Sequence, residues 1–164
     1  ILDRANPING ITVEGPVLQE GFGSFLGQHP ICTRHGMTLG ELATMYTKER
    51  KLDVSLGVYS CKGWNRSSYL SEEESRWVIP SPNMPTVRTA LVYPGMCLLE
   101  GTNVSEGRGT TRPFEFVGAP WLCAKKLASR LNGEDLPGVI FRPIHFRPTF
   151  QKWSRELCFG VQVH

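Results

Sequence analysis

The sequence predicts an α/β fold built on a parallel sheet. Strand-like and helix-like segments alternate as far as residue 133, which is typical of βαβ units. Hydrophobic residues make up 40% and charged residues 20% of the 164 residues, a composition that supports a buried core. No apolar run approaches the ~18 residues of a spanning helix, which argues against a membrane segment.

The first part of the chain predicts loop, then a helix, then a strand. Ile1-Leu2-Asp3 is typical of the end of a buried strand, and turn-forming dipeptides interrupt residues 3–30. Thr38-Leu39-Gly40-Glu41 fits a capping box that begins a helix. Apolar and polar residues alternate over residues 52–60, which predicts a strand. Glu72-Glu73-Glu74 predicts a solvated acidic turn.

The second part predicts two helices and three strands. Three prolines within residues 79–85 exclude regular structure there. A short helix is expected over residues 86–93 and is stopped by Pro94-Gly95. Pro120 is expected to open another helix, which Asn132-Gly133 ends. Apolar runs predict strands at residues 96–99, 139–141 and 157–163.

Charge and pattern change near residues 133–136. Of the net charge of +3, all of the excess falls in residues 136–164, so the earlier part is balanced. The charge balance therefore argues against strong nucleic-acid binding driven by overall charge, and it leaves open a local anion-binding patch. This change predicts one domain over residues 1–133 and a second domain, of which residues 136–164 are the beginning. Because the chain opens without Met and ends within a strand-like alternation, we expect an internal piece of a longer protein.

The cysteines and histidines give no metal-ligand pattern. No pair of cysteines forms a C-x-x-C motif, and the histidines have no ligand spacing to a carboxylate. We therefore predict no metal site and no disulfide framework, with the thiols serving as small apolar side chains. The cysteines are Cys32, Cys61, Cys97, Cys123 and Cys158.

The richest candidate site is the polar loop over residues 100–115. The apolar run before it predicts a buried strand, and ligands of open α/β sheets bind beyond the carboxyl ends of strands. Glu100 and Glu106 are candidates for acid and base work, while Arg108 and Arg112 offer planar forks to an anion. The alternative is a glycine-rich surface turn with solvated charges.

Three further segments are each open to more than one interpretation. Asp3 is either a second carboxylate of the site or a structural Asx turn. His35 is a proton carrier, a partner of sugar hydroxyls or a structural loop histidine. Basic and aromatic residues interleave over residues 141–153, which indicates an edge strand guarded by cations, or a surface that stacks bases or sugars. Residues 21–27 do not fit a dinucleotide loop, because their glycines have the spacing GxGxxxG and no strand is predicted before them.

Several motifs together resemble a known family. They begin with Asp3-Arg4-x-Asn6-Pro7-Ile8-Asn9-Gly10 and Arg34-His35-Gly36-Met37-Thr38. They continue with Val13-Glu14-Gly15-Pro16, Pro80-Ser81-Pro82-Asn83-Met84-Pro85, Leu91-Val92-Tyr93-Pro94-Gly95, residues 100–115 and Gly118-Ala119-Pro120-Trp121. In this order they cover nearly the whole chain, which resembles the NamZ-type exo-β-N-acetylmuramidases.

The resemblance implies part of a Rossmann-like parallel-sheet domain over residues 1–133, followed by the start of a smaller α+β auxiliary domain. It implies a glycoside hydrolase of muropeptide recycling, extracellular or periplasmic, that needs no cofactor. The substrate would be terminal β-linked N-acetylmuramic acid at the non-reducing end of a peptidoglycan-derived saccharide. Family members are more than twice as long and carry Gly-Pro-Glu-His-Gly upstream, so the piece alone is expected to be inactive if that Glu is the acid.

The substrate's chemistry assigns expected roles to residues. Its lactyl carboxylate needs a cation, for which Arg108 is the first choice and Arg34 the next. Glu100, Glu106 and His35 are the catalytic candidates, with Glu100 at a strand end in the main polar cleft. The remaining expected substrate-binding residues are Asp3, Asn6, Asn83, Asn103, Ser105, Thr110, Thr111 and Arg112.

Two other functions stay open. A non-catalytic module that binds cell-wall sugars or other anions would use the same loop. A nucleotide-dependent enzyme on a Rossmann-like sheet would need a phosphate loop, and no G-x-x-x-x-G-K-[ST] motif is present.

Overall fold

The computed structural model describes residues 1–71 and 77–164, so the acidic turn predicted at Glu72-Glu73-Glu74 lies outside the described residues. The chain divides into two compact units, Ile1–Arg76 and Trp77–His164. Both contain helices and strands, which confirms a mixed α/β protein.

The first unit places a two-stranded ribbon before one helix. Strand β1 (Glu14–Val17) pairs antiparallel with β2 (Cys32–Arg34), with Glu14 opposite Arg34. Helix α1 spans Leu39–Glu49, and Thr38 caps it as predicted. The Thr38 hydroxyl accepts the Glu41 N–H at 3.2 Å, and the Glu41 carboxylate accepts the Thr38 N–H at 2.9 Å. This reciprocal pair satisfies two of the donors that a helix N-terminus leaves free.

The strand predicted over residues 52–60 is wrong except at one position. Tyr59 forms an isolated parallel bridge with Leu2, made by two backbone hydrogen bonds of 2.9 Å, and residues 52–58 lie in no strand. Their alternating side chains are largely exposed. Leu2 itself is 75% exposed. The residues 1–3 expected to end a buried strand contribute this bridge and a bond of 2.6 Å from the Ile1 amine to the Gly57 carbonyl.

The second unit begins with two consecutive helices. Helix α2 spans Val87–Met96 and a 3-10 helix follows over Cys97–Gly101. The predicted helix is confirmed, but it continues through Pro94, where the sequence predicted a stop. The strand predicted over residues 96–99 is wrong, because a short apolar run fits a helical turn as well as a strand, and here these residues are helical.

A three-stranded sheet and one helix complete the second unit. The strands are β3 (Phe116–Ala119), β4 (Phe141–Phe146) and β5 (Cys158–Val163), in the antiparallel order β3-β5-β4. Helix α3 (Ala124–Asn132) ends as predicted, at Gly133, but begins four residues after Pro120. The edge position of β4 confirms the interpretation of the basic-aromatic run as an edge strand over its first part.

The core of the second unit lies between α3 and its sheet. Phe114 contributes from the loop before β3. The other buried apolar residues come from the helix and the sheet: Ala119, Ala124, Ala128, Phe146, Cys158 and Val161. The sheet joins strands from both sides of residues 133–136, and the domain division at those residues stays a prediction. Within the described residues, both sheets are antiparallel and no helix is long and apolar enough to cross a bilayer.

Candidate functional site

A cavity of about 290 Å³ in the first unit brings together three residues that the sequence predicted. Asn6, Arg34 and His35 all line it, because the loop that follows Asp3 runs beside the turn between β2 and α1. The remaining wall is mainly apolar, with Pro7, Ile8, Met37, Leu39 and Leu42. The cavity thus combines an apolar wall with a few polar groups, as is usual in small-molecule sites.

His35 is held in one tautomer by its own turn. Its Nδ1 accepts the N–H of Met37 at 3.0 Å, so the proton of the neutral ring lies on Nε2. Burial lowers the pKa of the imidazole below its ordinary 6.5, which keeps the ring neutral at pH 7. His35 therefore offers a fixed N–H donor on the cavity wall. To accept a proton at Nδ1, the imidazole would have to give up the hydrogen bond from the Met37 N–H.

Arg34 is the buried cation of this cavity. Its side chain is 10% exposed, its Nη1 lies 2.7 Å from Glu14, and its Nη2 donates to the Ile8 carbonyl at 2.6 Å. Burial alone would lower the pKa of Arg34, but hydrogen bonds to Tyr69 and Glu14 raise it above its ordinary value. The Nε–H is buried and has no acceptor among the described residues.

Asp3 caps helix α1. Its carboxylate accepts the Gly40 N–H at 2.7 Å, the Thr38 hydroxyl at 2.9 Å and the Arg4 N–H at 2.8 Å. Burial alone would raise the pKa of Asp3, but these three bonds hold it below its ordinary value. The carboxylate also lines a second cavity of about 390 Å³ beside α1. Of the two interpretations of Asp3, the geometry favours the structural one.

Asn6 has a similar local task. Its side-chain oxygen accepts the Ile8 N–H and its amide donates to the Met37 carbonyl, both at 3.1 Å. These bonds tie the loop after Asp3 to the turn that carries His35, and so shape the cavity wall.

The polar loop over residues 100–115 belongs to the second unit. Its first residue, Glu100, lies in the last turn of the 3-10 helix. The prediction of a buried strand before the loop is therefore wrong. An antiparallel bridge between Ser105 and Gly118 attaches the loop to β3. Gly107 and Gly109, on either side of Arg108, both have φ of +81°, a conformation that glycine adopts without strain. Neither cavity described above is lined by this loop.

Arg108 is paired within the loop. Its Nη2 lies 2.7 Å from Glu100 and its Nε lies 3.5 Å from Glu106, while the guanidinium stacks 4.9 Å from the ring centre of Phe114. Two carboxylates thus already compensate the charge expected to bind a lactyl group. The roles of Arg108, Glu100 and Glu106 in catalysis stay predictions.

Lys152 makes contacts with the polar loop that the sequence did not predict. Its ammonium donates to the carbonyls of Leu99, Glu100 and Val104 at 3.0–3.2 Å and lies 2.9 Å from Glu106. Because the side chain of Glu106 is only 4% exposed, this pair locks the loop to the segment before β5. The two residues lie 46 positions apart, and no local pattern announces such a contact.

The loop ends on a second buried carboxylate. Glu115 is fully buried, accepts the Thr89 hydroxyl at 2.9 Å and lies 3.3 Å from Arg112. Arg112 therefore braces the loop, and its role in binding substrate stays a prediction.

The remaining predicted binding residues divide by exposure. Ser105 is buried and accepts the Gly107 N–H, and the Thr110 hydroxyl donates to the Gly107 carbonyl at 2.6 Å. Asn103 and Thr111 are exposed and Asn83 is half-buried. All five cysteines are free thiols, and the described residues contain no cluster of His, Cys, Asp or Glu that would hold a metal ion.

Comparisons with known proteins give a consistent result. Residues 1–88 match the family described as "Exo-beta-N-acetylmuramidase NamZ, N-terminal", and residues 91–164 match the corresponding C-terminal family. The chain is 49% identical over 164 residues to the peptidoglycan beta-N-acetylmuramidase NamZ of Bacillus subtilis (strain 168). It covers 40% of that relative's length, and all of its own.

Two crystal structures share the fold. Both are DUF1343 family proteins of Bacteroides fragilis NCTC 9343. One has a TM-score of 0.88 and 39% identity, over 99% of this chain and 43% of that one. The other has a TM-score of 0.74 and 36% identity, over 98% of this chain and 43% of that one.

Proposed function

The chain belongs to the NamZ exo-β-N-acetylmuramidase family, and from this premise we propose that its activity is that of a glycoside hydrolase. The reaction removes terminal β-linked N-acetylmuramic acid from the non-reducing end of peptidoglycan fragments. The relative in Bacillus subtilis carries the name of a peptidoglycan muramidase, which supports this substrate class.

The observation that carries the proposal is the cavity lined by Asn6, Arg34 and His35. Its volume of about 290 Å³ lies near the lower limit of ~300–1,000 Å³ for ligand pockets. That size suits one saccharide unit, as an enzyme that removes single terminal sugars requires. The apolar wall suits the methyl groups of an acetamide and a lactyl ether.

We assign His35 the role of a hydrogen-bond donor to a sugar oxygen. Its Nδ1 is occupied by the Met37 N–H, so only the Nε2–H is available to a ligand. This supports the sugar-hydroxyl interpretation over that of a proton carrier.

We assign Arg34 the role of the cation beside the lactyl carboxylate. Arg108 is already paired with two carboxylates, one of them buried. Arg34 faces Glu14, whose side chain is 60% exposed and is readily exchanged for a ligand carboxylate. Glu100 is the more accessible candidate for acid or base catalysis, because its side chain is 36% exposed and that of Glu106 is 4% exposed.

A Rossmann-like parallel sheet belongs to the same proposal. The bridge between Leu2 and Tyr59 is parallel, and it supports two neighbouring strands of such a sheet in the complete fold.

The test is product analysis with the complete gene product. Incubation with peptidoglycan fragments that begin with N-acetylmuramic acid should release that sugar alone, measured by mass spectrometry. Fragments that begin with N-acetylglucosamine should stay intact. Cleavage at internal linkages, or binding without release, would contradict the proposal, and the second result would favour a non-catalytic binding module.

A further inference from the structure

Two tryptophans of the second unit pack against each other at the surface. The rings of Trp121 and Trp153 meet edge to face, with centroids 4.8 Å apart and an interplanar angle of 79°. Trp121 is 53% exposed and Trp153 is half-buried. What distinguishes this site is that the two large rings are in contact and together form one aromatic surface.

The topology brings a third residue to the same corner. Ala119 of β3 pairs with Phe159 of β5 in an antiparallel register, so Trp121 and the segment before β5 leave the sheet at one end. Asn103 joins them, because Ser105 bridges antiparallel to Gly118. We call Asn103, Trp121 and Trp153 the tryptophan corner.

The corner is held rigidly. The indole Nε1 of Trp153 donates to the Asn103 carbonyl at 2.6 Å, and the neighbouring Lys152 is bound to three carbonyls and to Glu106. Gln151, Trp153 and Arg155 all have φ between +59° and +66°, in the left-handed region that non-glycine residues rarely adopt. Such strain persists where surrounding contacts overdetermine it, and it clusters at functional positions.

The cation next to Trp153 is already paired. The ammonium of Lys152 lies 2.9 Å from the buried carboxylate of Glu106, which neutralises it. A nucleic acid needs free cations for its phosphates, and Lys152 does not supply one. The exposed Asn103 amide makes no hydrogen bond within the described part of the chain, so it offers both a donor and an acceptor.

We propose that the tryptophan corner binds a pyranose ring of an N-acetylated glycan strand. The C–H face of the sugar stacks on the indole of Trp121, and the Asn103 amide bonds to a hydroxyl or acetamide of the same ring. Aromatic rings with a polar neighbour suit such a ligand, which is apolar on its faces and polar at its rim. The choice of an N-acetylated glycan rests on the proposed function.

The test uses chitotetraose, a neutral tetramer of β-linked N-acetylglucosamine, and the indole N–H resonances of the four tryptophans. The Trp121 and Trp153 resonances should shift saturably on titration, while those of Trp64 and Trp77 stay in place. Trp121→Ala should weaken binding about tenfold, the effect of removing a stacking ring. Trp121→Tyr should restore part of it, and Phe25→Ala, at a side chain 92% exposed in the first unit, should change nothing.

Several outcomes would overturn the proposal. They are no saturable shift in the unsubstituted chain, equal shifts at all four indoles, and wild-type affinity in Trp121→Ala. Preferential binding of a single-stranded oligonucleotide, or shifts that depend on protein concentration alone, would assign the corner to another partner. Chitotetraose has no lactyl group, so these results do not depend on release of N-acetylmuramic acid, and either proposal can fail while the other stands.

Discussion

His35 differs from an ordinary loop histidine in its hydrogen bonding. The Met37 N–H occupies Nδ1, and the imidazole lies on a largely apolar cavity wall. Both features favour the neutral ring, since protonation would replace a good hydrogen bond with a repulsion between two donors.

We expect the pKa of His35 to lie below its ordinary 6.5 in the folded chain. The unfolded chain then binds the proton more tightly, so this group's contribution to stability is complete above pH 6.5 and is lost as the pH falls below it. Imidazole ¹⁵N shifts measured from about pH 4 to about pH 8 should show the Nε2–H tautomer of the neutral ring. His35→Gln should abolish this part of the pH dependence of urea unfolding; an unchanged dependence would assign it to another group.

The ion pair between Arg34 and Glu14 yields a prediction about affinity. Glu14 is largely exposed, so it is a weak competitor for a ligand carboxylate. Glu14→Gln should tighten binding of N-acetylmuramic acid about two- to fivefold, the worth of an exposed ion pair. Binding of N-acetylglucosamine, measured by the same calorimetry, should not change.

Glu20→Gln is the matched control, because it removes the same charge from an exposed loop position with no contact to Arg34. Equal effects of the two substitutions would show a general charge effect. Weaker binding in Glu14→Gln would show that Glu14 helps to hold the cavity in shape.

Lys152 joins the segment before β5 to the polar loop over residues 100–115. Lys152→Met should cost about 2–4 kcal/mol in the free energy of unfolding, because it leaves the buried Glu106 without its nearest cation. Adding Glu106→Gln should recover part of that loss, since the pair is coupled. Urea denaturation of the two single variants and the double variant measures this, and additive losses would show that the contact carries no energy.

The glycine loop gives a cleaner comparison of two substitutions. A Cβ at Gly107 would lie 2.7 Å from the Phe116 carbonyl oxygen, at a φ of +81°, whereas a Cβ at Gly101 would meet nothing within 4 Å. Gly107→Ala should therefore lower the unfolding free energy by more than ~1 kcal/mol, and Gly101→Ala by much less. Thermal denaturation of both variants checks this, and equal losses would refute the close packing of the loop against β3.

The elements that the sequence predicted are those with a local cause. Thr38 and Glu41 form a capping box that begins α1, and Gly133 ends α3, because each needs only its own neighbours. The failures depended on distant partners. Leu52 to Tyr59 alternate like a strand, yet a strand requires a hydrogen-bonded neighbour. Within the described residues only Gly57 and Tyr59 are bonded to the neighbouring segment, at residues 1–3.

The candidate site shows the same division across the molecule. Asn6, Arg34 and His35 were predicted as separate binding or catalytic candidates, and the turns of two short motifs bring them to one cavity. The polar loop over residues 100–115, expected in the main cleft, lines neither cavity described above. The bonds of Lys152 to Glu106 and of Trp153 to Asn103 span 46 and 50 residues, and no spacing in the sequence encodes them. The residue types of the loop can thus be read from the sequence, but not what holds the loop or which of its charges are already paired.

Each compact unit carries part of the predicted chemistry. The first holds the cavity with a fixed cation and a fixed N–H donor, and the second holds the paired carboxylates and the tryptophan corner. The chain spans less than half the length of the relatives that it matches, so the activity of the complete protein stands as a proposal.

The central claim is that the cavity of the first unit holds the terminal sugar, and ligand mapping by NMR tests it most directly. Titration of the chain with N-acetylmuramic acid should shift the Arg34 Nε–H, the His35 Nε2–H and the Asn6 side-chain amide saturably and with one dissociation constant. N-acetylglucosamine should shift the His35 and Asn6 signals with weaker affinity and leave that of Arg34 nearly unchanged. Saturable shifts that spare all three groups, or equal affinity for the two sugars, would contradict the account.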